Sequence, residues 1–491
     1  MQITVDRNSP QPIYEQIARE IQRRIRNGAL PPGTRLPTVR ELSRQLGITR
    51  LTVHSAYSEL QAGGWVEATV GRGTFVAPRA DPAQAAAELG QEMSARGVLS
   101  DMLRMAQLPG MRTLAMADAA PEFQPLREFE RALSEALESG EPGVLSYTPA
   151  QGDPMLRTVL GQLLKERGLR PSPDELLITS GVTQGLTLIG QTLARPGDAV
   201  LVEQPTYLGA LNSLGHLGLR LIGVPLDDQG LQVEALEPLI LAHRPRFLYT
   251  VPTFHNPSGA TMSPERRAAL LEIAARHRLP VVEDDIYGLL AYEGQAPAPL
   301  RASDPDGLVL YLSSFSKSLF PGARIGYIVA TPQLIGRLAM AKQASDLCSS
   351  PLLQRALAIF IQRGWMAAHL RRVIPRYRER RDALLTAMAR HFPAGVRWTT
   401  PAGGFCSWVT LPPGVAPTDL YMAAIERGVA FAPGDVFFVG PPQRPHMRLA
   451  FSTQPPEVIG EAVEVLGELL SVQLARRVLT REVPTDYVPL V

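Results

Sequence analysis

Cysteine is scarce in this chain: there are two in 491 residues, Cys348 and Cys406, far apart and without metal-ligand spacing. That excludes a disulfide-stapled scaffold and a zinc finger, and it fits a reducing compartment. Long uncharged apolar runs are missing as well. None approaches the roughly 20 residues that span a bilayer, and the opening "MQITVDRNSPQPIYEQ" has no apolar signal core. The expectation is a cytoplasmic protein with no membrane partner. Lysine is absent from residues 1–80, where eleven arginines face six acidic residues, an excess of five positive charges. The whole chain carries only +2. A small basic module on a nearly neutral body points to a localised polyanion contact.

At 491 residues the chain exceeds the size at which single cores stop growing, so two or more domains are expected. Its 45% hydrophobic and 20% charged residues are those of a globular protein. Ile13, Ile17, Ile21 and Ile25 form a helical stripe that ends near Gly28 and Pro31. Thr38 and Glu41 form a capping box for a short helix that buries Leu42 and Leu46 and stops at Gly47. Thr49 can cap a third helix, with Val53, Ala56, Tyr57 and Leu60 on its inner face. "WVEATVGRGTFVAP" then reads as two strands about a Gly-Arg-Gly turn. Three helices and a hairpin make a winged helix-turn-helix, expected over residues 9–78.

In such a unit the second helix of the motif enters the major groove with its N-terminal residues at base edges. Arg50 is the prime candidate for base contact, because its fork matches guanine O6 and N7. Thr49 and His54 share that helix end; Arg40 and Thr52 are placed near phosphates or bases, and Arg35 can approach the backbone; Arg72, at the hairpin tip, can meet phosphate or a minor groove. Charge clusters are ordinarily solvated helix faces, so the caps and the wing carry the argument here. The run from "GALPPGTRLPTVREL" to "VGRGTFV" resembles the GntR family of bacterial regulators, which implies double-stranded operator DNA as partner. One departure is His54, four positions after Arg50, where relatives often carry arginine.

Residues 79–112 are rich in Ala, Asp, Gln and Pro and read as a linker. Beyond it, "DELLIT", "DAVLVEQ", "RLIGVPL", "RFLYTV", "LPVVEDD" and "LVLYLSS" alternate with helical patterns, the signature of an α/β fold with a mainly parallel sheet. After about residue 330 the pattern turns helical, with strands again at "GFCSWVTL" and "HMRLAFS", so a smaller α+β lobe is expected. This domain is expected over 113–472, followed by a tail at 473–491.

The segment "SSFSKSLFPGARIGY" places Lys317 at the end of a buried strand and Arg324 beyond a Pro-Gly turn. A lone lysine in a serine-rich loop is ordinarily a solvated charge. Other segments supply what a pyridoxal phosphate site needs. Asp284 ends a strand and can face a protonated ring nitrogen, with Tyr287 three positions on. Asn256 in "HNPSG" can donate to a ring oxygen. Gly181, Val182 and Thr183 open a helix whose N-terminus suits phosphate, and Arg324, Ser314 and Ser316 can add donors. Tyr207 is the candidate stacking ring.

Taken in this order, the set resembles fold-type I pyridoxal-phosphate enzymes of the aminotransferase class. The resemblance implies a catalytic Lys317 that forms a Schiff base with pyridoxal 5'-phosphate. It also implies a homodimer in which Tyr147 reaches the other subunit's phosphate, and an Arg448 that binds the carboxylate of an amino acid. A winged helix, a linker and this body, with "SSPLLQRALAIFIQRG" and "HLRRVIPRYRERRDALLTAM", resemble the MocR subfamily of GntR regulators. That implies a transcription factor sensing an amino acid, an amine or pyridoxal phosphate itself. The alternative is a working aminotransferase of the 2-aminoadipate or aromatic type that carries a DNA-binding module. Against it, "MADAAPEFQPLREF" lacks the glycine-rich loop such enzymes carry there.

Overall fold

The computed structural model describes residues 12–26, 29–31, 33–62, 65–69, 73–76, 108, 110–140 and 143–481. The chain divides into two compact units, residues 1–88 and 89–491.

The first unit contains helices Ile13–Arg26, Val39–Leu46 and Arg50–Ala62, then an antiparallel hairpin of Val66–Thr69 and Gly73–Val76. Its boundaries follow local chemistry. The N–H of Thr38 donates to the Glu41 carboxylate at 2.8 Å, and the N–H of Glu41 donates back to Thr38 Oγ1 at 3.2 Å. Two donors of the helix start are thereby satisfied reciprocally. Gly47 ends that helix with φ 61°, a left-handed cap that glycine adopts without steric cost. Ile17, Ile21, Leu42, Val53, Ala56 and Leu60 are fully buried and form the core with Tyr57, Trp65 and the hairpin valines. The isoleucine stripe therefore faces inward, as its spacing predicts. Ile13 and Ile25 pack only partly buried at its ends.

The second unit is built on an eight-stranded sheet. Its order is Leu176–Thr179, Gly326–Val329, Val309–Ser314, Val281–Asp284, Leu248–Thr250, Ala199–Gln204, Arg220–Asp227 and Gly230–Leu231. The five strands from Val309–Ser314 to Arg220–Asp227 are parallel. Gly326–Val329 runs antiparallel between two of its neighbours. The parallel strands read as near-continuous apolar runs because helices cover both faces. A second, four-stranded antiparallel sheet of Arg397–Trp398, Cys406–Thr410, His446–Ala450 and Ala432–Pro433 forms the smaller lobe. These elements agree with the α/β plus α+β reading.

Two segments differ from expectation at their edges. Arg112–Thr113 pairs in parallel with Val429–Ala430, so ordered backbone of the second unit has begun by Arg112. The earlier part of the expected linker lies almost wholly outside the described residues. The last helix, Pro456–Arg481, continues past residue 472. It carries buried Leu466 and Leu470 and approaches helix Trp365–His391 closely: a Cβ at Gly467 would sit 2.3 Å from the His391 carbonyl oxygen. Residues 482–491 lie outside the described set. Among the described residues no helix is long and apolar enough to cross a membrane.

Candidate functional site

In the first unit, Thr49 accepts the N–H of Thr52 at 3.2 Å and so caps helix Arg50–Ala62. Arg50 and His54 are exposed at its start, Thr52 is partly exposed, and Arg40 is exposed on the preceding helix. The His54 ring nitrogen lies 3.4 Å from Ser58 Oγ. The Arg35 guanidinium lies against Gly73, the first residue of the second hairpin strand after the turn, where a Cβ would meet its Nε at 3.0 Å. Arg72 lies outside the described residues. Leu51, which the sequence reading passed over, is 75% exposed beside Arg50. Its signal was available: it falls off the Val53, Ala56 and Leu60 face at a helix N-terminus.

In the second unit, the carboxyl ends of the parallel strands open onto a cavity of about 360 Å³. Open α/β sheets present their ligands at this edge. Seven sequence-predicted residues line it together: Lys317, Asp284, Tyr287, Asn256, Arg324, Tyr207 and Arg448. Of three lysines in the chain, Lys165 is exposed and Lys342 is buried against Asp346 at 2.8 Å, leaving Lys317 as the lysine of the cavity.

The polar groups are held from several directions. Arg448, on strand His446–Ala450, is 6% exposed. It donates from Nη1 to Asn256 Oδ1 at 2.9 Å and from Nη2 to the Ala115 carbonyl at 2.5 Å, and its guanidinium lies 4.8 Å from the Phe437 ring centroid. Its Nε is buried and has no partner among the described residues. Because Arg448 engages the oxygen of the Asn256 amide, the amide's NH2 is the end left to donate. The Tyr207 ring rests over the start of its own helix, where a Cβ at Gly209 would collide with it at 2.3 Å. Burial pushes the Tyr207 phenol up, while a hydrogen bond with Thr183 opposes that shift. Tyr287 is 1% exposed and meets Phe405 edge-on at 5.5 Å.

Gly181 precedes helix Val182–Leu193 with φ 121°, and a Cβ there would approach Arg324 Nη2 to 3.2 Å. The helix N-terminus and Arg324 therefore converge, which is the arrangement an anion needs. Gly181, Val182, Thr183, Ser314 and Ser316 do not line the cavity themselves. The Ser316 N–H donates to Ser314 Oγ at 3.3 Å, so these two residues stabilise the turn before Lys317. Tyr147 is 83% exposed and outside this cavity.

Asp118 was missed. It lines the cavity, and Lys317 Nζ donates to its Oδ1 at 2.5 Å. No local pattern marks it, since the pair is 199 positions apart.

Asp284 is 2% exposed; it accepts from Tyr249 Oη at 2.8 Å and from the Ile286 N–H at 3.2 Å. Burial raises its carboxyl to about 7, and burial with the charge of Asp285 raises Glu283 to about 7. Carboxyls of an unfolded chain titrate near about 4. Between these values the folded protein binds more protons than the unfolded one. The stability contributed by the neutral forms is present in full below about pH 4 and is lost as pH rises through about 7. The cofactor-free protein is thus expected to lose melting temperature from pH 5 to 8, and Asp284→Asn is expected to flatten part of that loss. Thermal melts at constant ionic strength check this; an unchanged slope in the variant counts against it.

A buried carboxylate held only by a phenol and an amide suits a protonated ring nitrogen. With the Gly181–Arg324 cradle for phosphate and the unpartnered Arg448 Nε, the residues present fit pyridoxal phosphate. Residues 117–466 match the family described as Aminotransferase class I and II, and residues 13–76 match Bacterial regulatory proteins, gntR family. The second unit is thus an aminotransferase class I and II domain of fold type I, a pyridoxal-phosphate-dependent class. The solved structure of LysN, alpha-aminoadipate aminotransferase from Thermus thermophilus, complexed with N-(5'-phosphopyridoxyl)-L-leucine, superposes with a TM-score of 0.71 at 34% identity. That match covers 80% of this chain and 97% of the other.

Several regulators match across both units. The HTH-type transcriptional regulator YdfD of Bacillus subtilis (strain 168) is 32% identical over 95% of this chain and 98% of its own. The probable rhizopine catabolism regulatory protein MocR of Rhizobium meliloti is 30% identical over 94% of this chain and 95% of its own. The chain belongs to the MocR-type regulators, in which a gntR-family helix-turn-helix precedes an aminotransferase-like domain.

Proposed function

We propose that the protein is a cytoplasmic, homodimeric DNA-binding regulator that senses a primary amine or amino acid in the cavity around Lys317. The observation that carries this reading is similarity to regulators along both units, combined with an intact cofactor constellation in the second. Aminotransferases such as LysN match the second unit's share of the chain.

Bound pyridoxal phosphate supplies an aldehyde carbon to which a primary amine can bond and a ring that withdraws electrons. The chain's own residues do the rest. Asp284 holds negative charge opposite the ring nitrogen, and its burial magnifies that interaction. Arg324 and the amides at the start of helix Val182–Leu193 hold the phosphate. Asn256 donates to the ring oxygen, and Tyr207 covers the ring. Lys317 contributes the amine, and Arg448 receives a ligand carboxylate through its fork. Tyr147, exposed on its own subunit, serves the partner's phosphate. In the first unit Arg50 reads a base edge, while Arg35, Arg40 and Arg72 meet the backbone.

A ligand shifts operator affinity only by its differential affinity for two states of the protein. Typical couplings of about 1–3 kcal/mol correspond to roughly 5- to 150-fold. Fluorescence anisotropy with DNA from upstream of the protein's own gene, with and without a panel of amino acids and amines, tests the reading. Identical affinity under every condition would leave it without support.

The second reading, a working aminotransferase with a DNA module, is favoured by the convergence of Lys317, Asp284, Asn256, Arg324, Tyr207 and Arg448 on one cavity. Sustained turnover of an amino acid with a 2-oxo acid would establish it.

A further inference from the structure

Lys317 and Asp118 form an ion pair inside the cavity, with side chains 20% and 33% exposed. Asp118 is not on a loose loop. Before it, the Ala115 carbonyl accepts from Arg448 Nη2; after it, the Ala120 N–H donates to Tyr377 Oη at 3.0 Å. Both ends of the segment Ala115–Ala120 are thus tied to buried side chains, Arg448 at 6% and Tyr377 at 2% exposure. The carboxylate is delivered to the lysine from a fixed backbone.

We propose that Asp118 is the counter-ion for Lys317 when the lysine is not bonded to the cofactor, and that it biases the site towards capturing amines over turning them over. The inference rests on the reading that Lys317 bonds pyridoxal phosphate. An ammonium paired with a carboxylate has no lone pair to offer. To bond the aldehyde carbon, Lys317 gives up the pair and one proton, and one water leaves. When an incoming ammonium takes that carbon, the exchange balances: the ligand nitrogen gives up its three hydrogens, Lys317 takes up three and returns as an ammonium, and the pair with Asp118 re-forms. Asp118 therefore opposes cofactor attachment and favours displacement by a ligand. It also opposes transamination, because moving a proton from a captured amino acid requires a lysine with a free lone pair.

The two effects have opposite signs, which a loss of packing could not produce. Asp118→Asn and Asp118→Ala are compared with the wild-type chain. Cofactor-free protein is titrated with pyridoxal phosphate, and loaded protein with methylamine, a probe that has no carboxylate for Arg448. Borohydride followed by peptide mass analysis reports how much cofactor sits on Lys317. Both variants are expected to bind cofactor about three- to tenfold more tightly and to need about three- to tenfold more methylamine to free Lys317. Half-transamination of L-2-aminoadipate is expected to quicken in both. Changes of the same sign in both titrations, or no change in either, would overturn the proposal while leaving the sensor reading intact. Absence of cofactor on wild-type Lys317 would overturn both.

Discussion

Replacing Lys317 by alanine is expected to abolish covalent attachment of pyridoxal phosphate, leaving the protein unable to retain label after borohydride. Among the described residues no other lysine lines the cavity: the other two are an exposed residue, Lys165, and one buried against Asp346, Lys342. Non-covalent binding is expected to persist, because the Arg324–Gly181 cradle and Asp284 do not depend on the lysine. The fold is expected to persist as well. Lys317 is partly exposed and its pair with Asp118 is not deeply buried, so its loss is worth about 1 kcal/mol or less of stability. The variant should therefore be folded, without label at position 317 after borohydride, and deaf to amines in operator binding. Peptide mass analysis after borohydride and anisotropy with operator DNA check the two parts. An amine response that survived in Lys317→Ala would show that sensing runs through some other group, even with cofactor present.

Arg50→Ala is expected to weaken specific operator binding by about 1–3 kcal/mol, roughly 5- to 150-fold, and to relax the preference for guanine at one position. The side chain is exposed at the first turn of a helix whose start is fixed by Thr49 and whose opposite face is buried through Val53, Ala56 and Leu60. Arg40→Ala is the control. A contact to phosphate alone should weaken all sequences about equally and reduce the salt dependence by about one counterion. Binding of Arg50→Ala to operator and to scrambled DNA over a salt series separates these cases. Equal losses on both DNAs would reassign Arg50 to the backbone.

Much of the fold was legible because its signals are local. The capping box at Thr38 and Glu41 spans four residues, and the isoleucine stripe repeats every turn. Each of the six apolar runs quoted for the larger lobe holds a strand of the main sheet. Strand Gly326–Val329 was not legible as a strand, because it enters the sheet antiparallel after the lysine turn. Gly326 admits it there: a Cβ would stand 2.7 Å from Gly181 Cα, a backbone approach that no spacing rule reveals. Helix Pro456–Arg481 outlasts its expected end, and its close contact at Gly467 lies with His391, distant along the chain.

The site divides in the same way. Lys317, Asp284, Asn256, Arg324, Tyr207 and Arg448 each follow a strand or turn with its own short signature, and all meet in one cavity. The sequence by itself determined the two kinds of unit, their order and the chemical character of each candidate group, because caps, periodicity and turn residues act over a few positions. Only the tertiary structure decided which groups face one another. It brought Asp118 to Lys317, turned the Asn256 amide by its bond to Arg448, and closed Gly181 onto Arg324. Those pairings depend on how layers stack and where the chain crosses between them, and contact energies across layers leave no periodic trace in the order of residues.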